Sequence, residues 1–240
     1  MAGIETVNEV KGPWWLALRV IDEPVEVFRQ LAVRPRVLVP FLLMVVAGAI
    51  FAFGTPQSTL RRQAERTADM LAERAPERFD EAQRLEMLDK AGSTVRRVTM
   101  AGSVIAVQAI SVLVVAGVLL LVFNAYGSEP LRYKDELAIT THAFVPQLLG
   151  MVVLVLLARF AGFEDMQLSL GFLFKEGFLH DLGVQFTPFG AWNIVLLGLG
   201  NQIRTGAKSL SGPLSIVVVL WLLVNFGFAA LSSVFGGLAG

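Results

Sequence analysis

The chain of 240 residues contains no cysteine, only two histidines and two tyrosines, and few charged side chains. The missing cysteine excludes a disulfide scaffold, a thiolate metal site and a cysteine nucleophile. Charged residues make up 17%, against about a quarter in soluble domains. Twenty basic and 20 acidic residues cancel, so the net charge does not indicate nucleic-acid binding. The hydrophobic share of 55% and the mean hydropathy of +0.63 instead exclude disorder and favour a membrane protein.

The charges are absent from five long windows. A membrane-spanning helix needs about 20 apolar residues, because the hydrocarbon core is about 30 Å thick and each residue rises 1.5 Å. All five windows are long enough, and their apolar cores predict spans at about 37–53, 98–123, 138–160, 189–203 and 214–231. We therefore predict an all-α fold, a polytopic integral membrane bundle of five transmembrane helices.

The fourth span has the shortest apolar core. The residues before it are apolar, but Lys175, Glu176 and Asp181 interrupt them. We interpret 168–178 as an interfacial or re-entrant segment, and a fourth span that starts earlier is the alternative.

Residues 1–36 form an amphipathic N-terminal segment. One helical face carries an apolar stripe, with Asp22 as a candidate cap, Pro24 in the first turn and Pro35 as the stop. The stripe consists of Trp14, Leu18, Ile21, Val25, Phe28 and Leu31. Together with nearby arginines it predicts an interfacial helix in the plane of the membrane. The alternative is a helix packed on the end of the bundle. Residues 37–240 then form the membrane domain.

The loop at 55–97 is the one large polar region, with nine basic and eight acidic residues. Small and apolar residues recur at helical spacing on both sides of Pro76, which predicts a helical hairpin. Pairs four residues apart support the exposed helices: Arg61 with Glu65, Asp80 with Arg84, and Glu86 with Lys90. Because the two signs alternate, a solvated hairpin is favoured over a phosphate-binding surface.

The basic residues of the loops predict the orientation of the chain in the membrane. The N-terminal segment, second loop and fourth loop hold 9 basic residues, and the remaining loops hold 11, of which 9 lie in the first loop. If that charge-balanced hairpin is translocated as a unit, the rule of positive cytoplasmic loops places the N-terminus in the cytoplasm.

Polar residues inside the spans are the candidate site, since a transport path would have to use them. They are Gln108, Thr141, His142, Gln147, Asn193 and Asn225, together with Trp192 and a predicted kink at Pro146. No Asp or Glu lies in a predicted span core, so His142 is interpreted as a hydrogen-bonding interfacial residue rather than a proton carrier. The amides are interpreted as helix-to-helix contacts rather than substrate ligands.

Small residues in the second span predict a close helix contact. Gly102, Ala106 and Ala109 share one face, where another copy or another membrane protein can approach, and the 55–97 loop is a second candidate surface. The lipid bilayer is the third partner that the sequence predicts. His180 and Asp181 alone supply too few ligands for a metal site. The sequence contains no motif for a cofactor or for catalysis.

Three stretches carry a resemblance to a known family. DEPVEVFRQLAVRPRVLVPFLL (Asp22 to Leu43) resembles the amphipathic entry of bacterial Yip-domain proteins, and YKDELAITTHAFVPQLLG (Tyr133 to Gly150) is similar to their third span. FTPFGAWNIVLLGLGNQIRTGAKSLSG (Phe186 to Gly212), which contains Trp192, resembles their fourth span. The resemblance runs from Asp22 through most of the chain.

The resemblance implies a Ypt/Rab-interacting type of integral membrane protein with a cytosolic N-terminus. Eukaryotic members are associated with Golgi and endoplasmic reticulum traffic and with small GTPases, but their DLYGP-type signature has no match here. Arginine outnumbers lysine 15 to 5, as is typical of a GC-rich bacterium. We therefore predict a non-catalytic protein of the bacterial inner membrane that acts through membrane organisation or protein interaction. The alternative is a small transporter or channel, or a subunit of one, that uses the polar residues around the third span; an intramembrane enzyme ranks behind both.

Overall fold

Every regular element in the described part of the chain is helical. The computed structural model describes residues 13–74, 79–126, 130–162, 168–174 and 178–237. The helices are α1 (Pro13–Arg19), α2 (Pro24–Val33), α3 (Leu38–Gly54), α4 (Gln57–Arg74), α5 (Glu81–Asp89), α6 (Thr94–Tyr126), α7 (Tyr133–Ala143), α8 (Val145–Phe160), α9 (Phe178–Gln185), α10 (Pro188–Thr205) and α11 (Ser211–Gly237). Short 3₁₀ turns follow α5 and precede α9.

Two helical segments are long and apolar enough to cross a bilayer: Thr94–Ala125, and Tyr133–Phe160, which combines α7 and α8. Two helix pairs meet that standard only when taken together, α3 with α4, bent by 85°, and α9 with α10, bent by 59°. The described part of α11 adds a shorter apolar helix, Ser211–Gly227. By length and composition the described residues thus hold two to four spans, and the predicted number of five stays a prediction.

The helix bounds agree closely with two predicted spans and differ from the other three. α6 and α11 extend beyond the predicted second and fifth spans by three to six residues at each end. α3 and α10 lie within two residues of the predicted first and fourth spans, whereas the predicted third span is part of a longer segment that begins at Tyr133 and is interrupted at Phe144. Between 168 and 178 the structure describes a 3₁₀ turn at Leu170–Leu173 and the start of α9. Residues 175–177 lie outside the described part of the chain.

The N-terminal segment forms two helices instead of one. Pro24 occupies the first turn of α2, as predicted, but the prediction that Asp22 caps the helix is wrong: Glu23 is at the cap position and makes no side-chain cap bond. Phe28 and Leu31 are buried, whereas Trp14, Leu18 and Val25 are exposed. The apolar stripe therefore packs on the protein with its C-terminal part and faces outward with its N-terminal part.

The polar hairpin contains the two predicted helices, α4 and α5. Asp80 accepts a hydrogen bond from Gln83 N at 2.7 Å and caps α5, so the predicted Asp80–Arg84 pair is wrong. Arg84 reaches Asp69 on α4 instead, at 2.8 Å. The predicted pairs Arg61–Glu65 and Lys90–Glu86 are present, and the second raises the pKa of Lys90 above its ordinary value.

The chain divides into two compact units. The first comprises Met1–Met44, Gln108–Leu148 and Phe189–Trp221; the second comprises Val45–Val107, Leu149–Pro188 and Leu222–Gly240. The hydrophobic core of the first unit joins α1 and α2 to α6, α7, α10 and α11. Its buried members include Val20, Phe28, Phe123, Ile139, Leu196 and Val217.

In the second unit, two arginines donate hydrogen bonds to the carbonyl groups at the C-terminal end of α3. Arg97 Nη1 donates to the carbonyls of Ala52 at 2.8 Å and Thr55 at 3.0 Å, and Arg159 Nη1 donates to the carbonyl of Gly54 at 3.2 Å. The last carbonyls of a helix have no partner within it and carry partial negative charge, so the two cations stabilise this end.

Candidate functional site

A cluster of charged and amide side chains lies in the first unit, where the start of α7 meets the end of α10. The carboxylate of Asp135 is 2% exposed and accepts hydrogen bonds from two arginines: Arg132 Nε at 3.2 Å and Arg204 Nη2 at 2.8 Å. The bond to Asp135 raises the pKa of the Arg132 guanidinium above its ordinary value. Arg204, on α10, is 24% exposed, so this pair joins the two helices in a mostly buried setting.

The next residue of α7 makes a second link to α10. Glu136 is fully buried, and its Oε1 accepts a hydrogen bond from Asn201 Nδ2 at 3.1 Å. Asn201 also donates to the carbonyl of Leu197 at 3.0 Å on its own helix. Thr140 lies one turn after Glu136 and is buried on the same face. Charge and hydrogen bonds thus concentrate on one short stretch of two helices.

The close approach of α7 and α10 depends on a glycine. A Cβ atom at Gly200 would lie 2.5 Å from Ile139 Cγ2 and 3.1 Å from Phe28 Cε1. These neighbours are a β-branched side chain and an aromatic ring, neither of which can move away easily. Gly200 is thus the point at which α2, α7 and α10 pack together, directly beside Asn201.

A third link uses the interruption between α7 and α8. Pro146 has no N–H, and the Gln147 N–H bonds to the carbonyl of Phe144 at 3.0 Å, so the carbonyl of Ala143 has lost its usual helical donor. Asn193 Nδ2 of α10 supplies the missing hydrogen bond at 2.9 Å. Pro146, whose missing N–H would have served the carbonyl of His142, and Asn193, which serves the next carbonyl, are two of the predicted candidates and act at the same interruption.

The other predicted candidates are dispersed. Thr141 and His142 are buried on α7, and both bond to the carbonyl of Ala138, Thr141 Oγ1 at 3.1 Å and His142 Nδ1 at 2.8 Å. Gln147 is half-buried at the start of α8, and Gln108 is half-buried on α6. Trp192 is 39% exposed, and Asn225 is buried in the second unit.

The sequence-based candidates missed the charged half of the cluster: Asp135, Glu136, Asn201 and Arg204. The prediction placed the third span at 138–160, which put both carboxylates just outside it, whereas the helix begins at Tyr133. A usable signal was present in the sequence. Two adjacent acids opening one span, and an amide and an arginine three residues apart closing the next, are brought together by antiparallel neighbouring helices.

The site is a junction between two helices, and its polar side chains offer oxygen and nitrogen atoms as ligands or hydrogen-bonding groups. Among the described residues, no group of three His, Cys, Asp or Glu side chains could hold a metal ion. His180, a residue weighed as half of a metal site, bonds through Nδ1 to the carbonyls of Gly171 at 3.1 Å and Phe174 at 3.0 Å. The interactions that the cluster makes are ion pairs and hydrogen bonds.

Comparison with known families gives the identity of this helical chain. The sequence profile of the Yip1 domain matches residues 18–231, from within α1 to within α11. The chain belongs to the Yip1 domain family. The Yip1 domain therefore contains all three α7–α10 links, and the predicted family resemblance is confirmed. A search of curated proteins and a search of solved structures gave no match. The Yip1 assignment and the apolar helices make this a multi-pass membrane protein of the Yip type, a family of non-enzymatic membrane proteins.

Proposed function

We propose that this Yip1-domain protein is a non-catalytic protein of the bacterial inner membrane that organises membrane or binds other membrane proteins. It has five spans, with 37–240 as its membrane domain and 1–36 as its interfacial segment. The observation that carries the proposal is that the polar side chains of the site are buried and hydrogen-bonded within the protein. Thr141, His142 and Asn193 are all at most 5% exposed and bond to carbonyls of α7. Asn193 thereby joins α10 to α7, whereas Thr141 and His142 are bonded within α7. Buried side chains whose polar atoms are bonded in this way do not line an open path.

The surface of α6 supports a protein partner. Gly102 and Ala106 are exposed, Ala109 is half-exposed, and no atom lies within 4 Å of the position that a Cβ at Gly102 would take. A face of small residues lets another helix approach closely enough for backbone contact, which stabilises association in lipid. The partner that we propose is a second copy of this chain or another membrane protein.

The N-terminal segment supports contact with the bilayer surface. Trp14 and Trp15 are 54% and 63% exposed, and Arg34 and Arg36 are exposed beside the first span. Indole rings and arginine side chains suit the headgroup region. α1, α2 and the turn at 206–210 belong to the first unit, as expected if the N-terminus and the fourth loop share the cytoplasmic side.

Association can be tested with two copies of the protein that carry different tags. Gly102→Leu and Ala106→Leu are expected to reduce co-purification of the two copies, or of a membrane partner fixed by cross-linking in cells. The matched control is Val107→Leu, a substitution at an exposed neighbour that adds no bulk to the small-residue face. Unchanged association in both variants would exclude this face as the interface.

Transport is tested separately in reconstituted vesicles. The transport alternative requires solute flux that is lost in His142→Ala or Gln147→Ala; we expect no such flux. A flux carried by the wild-type protein and abolished in these variants would overturn the proposed function.

Orientation can be measured with single cysteines, since the chain has none of its own. We expect an impermeant thiol reagent added to intact cells to label Glu81→Cys and Ala161→Cys, but not Arg34→Cys or Lys208→Cys. All four positions are exposed. The inverse pattern would place the N-terminus outside.

A further inference from the structure

The cluster between α7 and α10 contains buried polar atoms that have no hydrogen-bond partner among the described residues. They are Glu136 Oε2, Thr140 Oγ1, Asn201 Oδ1 and Arg204 Nε. Two of them belong to residues that are already joined, because Asn201 Nδ2 donates to Glu136 Oε1. Each member of this pair thus presents one further oxygen. Two buried oxygens without a donor are costly, because neither recovers the hydrogen bond it makes with water.

An ionised Glu136 would have little charge compensation. Arg204 of α10 is the cation that acts on it, but Arg204 Nη2 is bonded to Asp135 at 2.8 Å. Asp135 itself, on α7, adds repulsion, and Arg132 is 76% exposed. α2 packs on α7 and contributes buried Val27, Phe28 and Leu31 to this core, and α6 contributes Leu119 and Phe123, so neither adds a buried cation. His142 lies almost two turns further along α7 and donates to Ala138.

A neutral carboxylic acid removes both difficulties. An O–H on Oε2 is a donor that the amide oxygen of Asn201 accepts, and Oε2 keeps a lone pair for the hydroxyl of Thr140 one turn along α7. The acid and the amide then exchange two hydrogen bonds in a closed ring, each side chain donating once and accepting once. We propose that Glu136 and Asn201 form a proton-binding site, in which a proton held on Glu136 Oε2 is donated to Asn201 Oδ1 and links α7 to α10.

Release of the proton from Glu136 weakens the contact between α7 and α10. It leaves a negative carboxylate facing the amide oxygen, and one of the two bonds between the helices becomes a repulsion. In the unfolded chain Glu136 is ionised above its ordinary pKa of about 4.3, so folding takes up one proton at higher pH. Stability from this site is therefore full below that pH and falls as the pH rises, by up to about tenfold in the folding equilibrium constant per pH unit, until the folded protein also loses the proton.

The test uses Glu136→Gln in the full-length protein in detergent. The glutamine has the same shape and keeps both hydrogen bonds without a titratable proton, since its amide donates to Asn201 Oδ1. Infrared spectra at about pH 6 should show the carbonyl band of a buried carboxylic acid in the wild type and not in the variant. The midpoint of unfolding should fall in the wild type as the pH rises above about 4.3, and it should change much less in Glu136→Gln. Glu81→Gln, at an exposed position on α5, should behave as the wild type.

Two outcomes would overturn the proposal. One is a wild-type spectrum identical to that of Glu136→Gln in the acid region, which would mean that Glu136 is ionised. The other is a stabilisation by sodium over an organic cation, at constant pH and ionic strength, that Glu136→Gln abolishes. That result would assign the unpartnered oxygens to a metal cation instead of a proton.

Discussion

At the scale of single residues, Asp135 is the carboxylate that two arginines share. It is almost fully buried, whereas its partners differ: Arg204 is 24% exposed and Arg132 is 76% exposed. An exposed ion pair contributes little, while the loss of one partner from a buried pair leaves an uncompensated charge. The two arginines should therefore contribute unequally although they contact the same carboxylate.

Arg204→Gln is expected to lower the free energy of unfolding by about 2 kcal/mol, less than for a fully buried pair because Arg204 keeps some contact with solvent. Arg132→Gln is the control and should cost less than about 1 kcal/mol. Unfolding by SDS in mixed micelles measures both. Equal losses in the two variants would contradict the difference in burial.

The second prediction at the scale of single residues concerns Gly200. Gly200→Ala places a methyl group against Ile139 and Phe28 and should destabilise the protein by about 1 to 3 kcal/mol, the usual cost of overpacking. Gly117→Ala is the matched control on α6, where no atom lies within 4 Å of the new Cβ. That substitution should be neutral or stabilising by up to about 1 kcal/mol, since alanine favours a helix. A larger loss from Gly117→Ala than from Gly200→Ala would be inconsistent with the packing of α2, α7 and α10.

At the scale of helices, the interruption at Phe144 and the bond from Asn193 depend on each other, because Asn193 serves a carbonyl that the interruption leaves without a helical donor. Asn193→Ala should cost about 1 kcal/mol, because the carbonyl of Ala143 then has no donor. Pro146→Ala gives the helix back a donor and allows the Gln147 N–H to return to that carbonyl. In the Pro146→Ala background, the cost of Asn193→Ala should therefore be smaller. A double-mutant cycle measures this coupling, and additive effects would show that the two residues act independently.

Arg97 carries the corresponding prediction for α3. Arg97→Leu removes the donor that serves the carbonyls of Ala52 and Thr55 and should lower stability by about 1 to 2 kcal/mol. Arg96→Leu changes the adjacent, exposed arginine and should stay within about 0.5 kcal/mol of the wild type. The same SDS titration checks the pair, and a larger effect from Arg96→Leu would contradict the capping role.

Helix positions were largely predictable because apolar runs and prolines act locally. Pro24 and Pro35 bracket α2, and the predicted hairpin contains α4 and α5. Side-chain partners were less predictable, because they depend on which helices meet. Arg84 had a suitable partner four residues away and bonds instead to Asp69 of the neighbouring helix. Glu136 was missed for the same reason: its relevance depends on Asn201, which is 65 residues away in sequence.

At the scale of the whole molecule, the chain is a Yip1-domain membrane protein whose charges have distinct positions. One group lies in the hairpin of α4 and α5, where pairs such as Arg84–Asp69 are exposed. Another lies between α7 and α10, where Asp135 and Glu136 are buried. The two groups differ in their contact with water: the exposed pair Arg84–Asp69 joins α4 to α5, and the buried carboxylates join α7 to α10.

The length of α3 has a consequence for the surrounding lipid. α3 is the first of the five proposed spans, and its 17 residues extend about 25 Å, several ångströms less than a typical hydrocarbon core of about 30 Å. A span that is too short is accommodated when the bilayer thins around it, and such hydrophobic mismatch sorts proteins between membranes of different thickness. Arg97 and Arg159 fix cationic groups at its C-terminal end, which limits how deeply that end can enter the apolar layer. Through this helix alone, the protein would deform the bilayer locally and collect in its thinner regions.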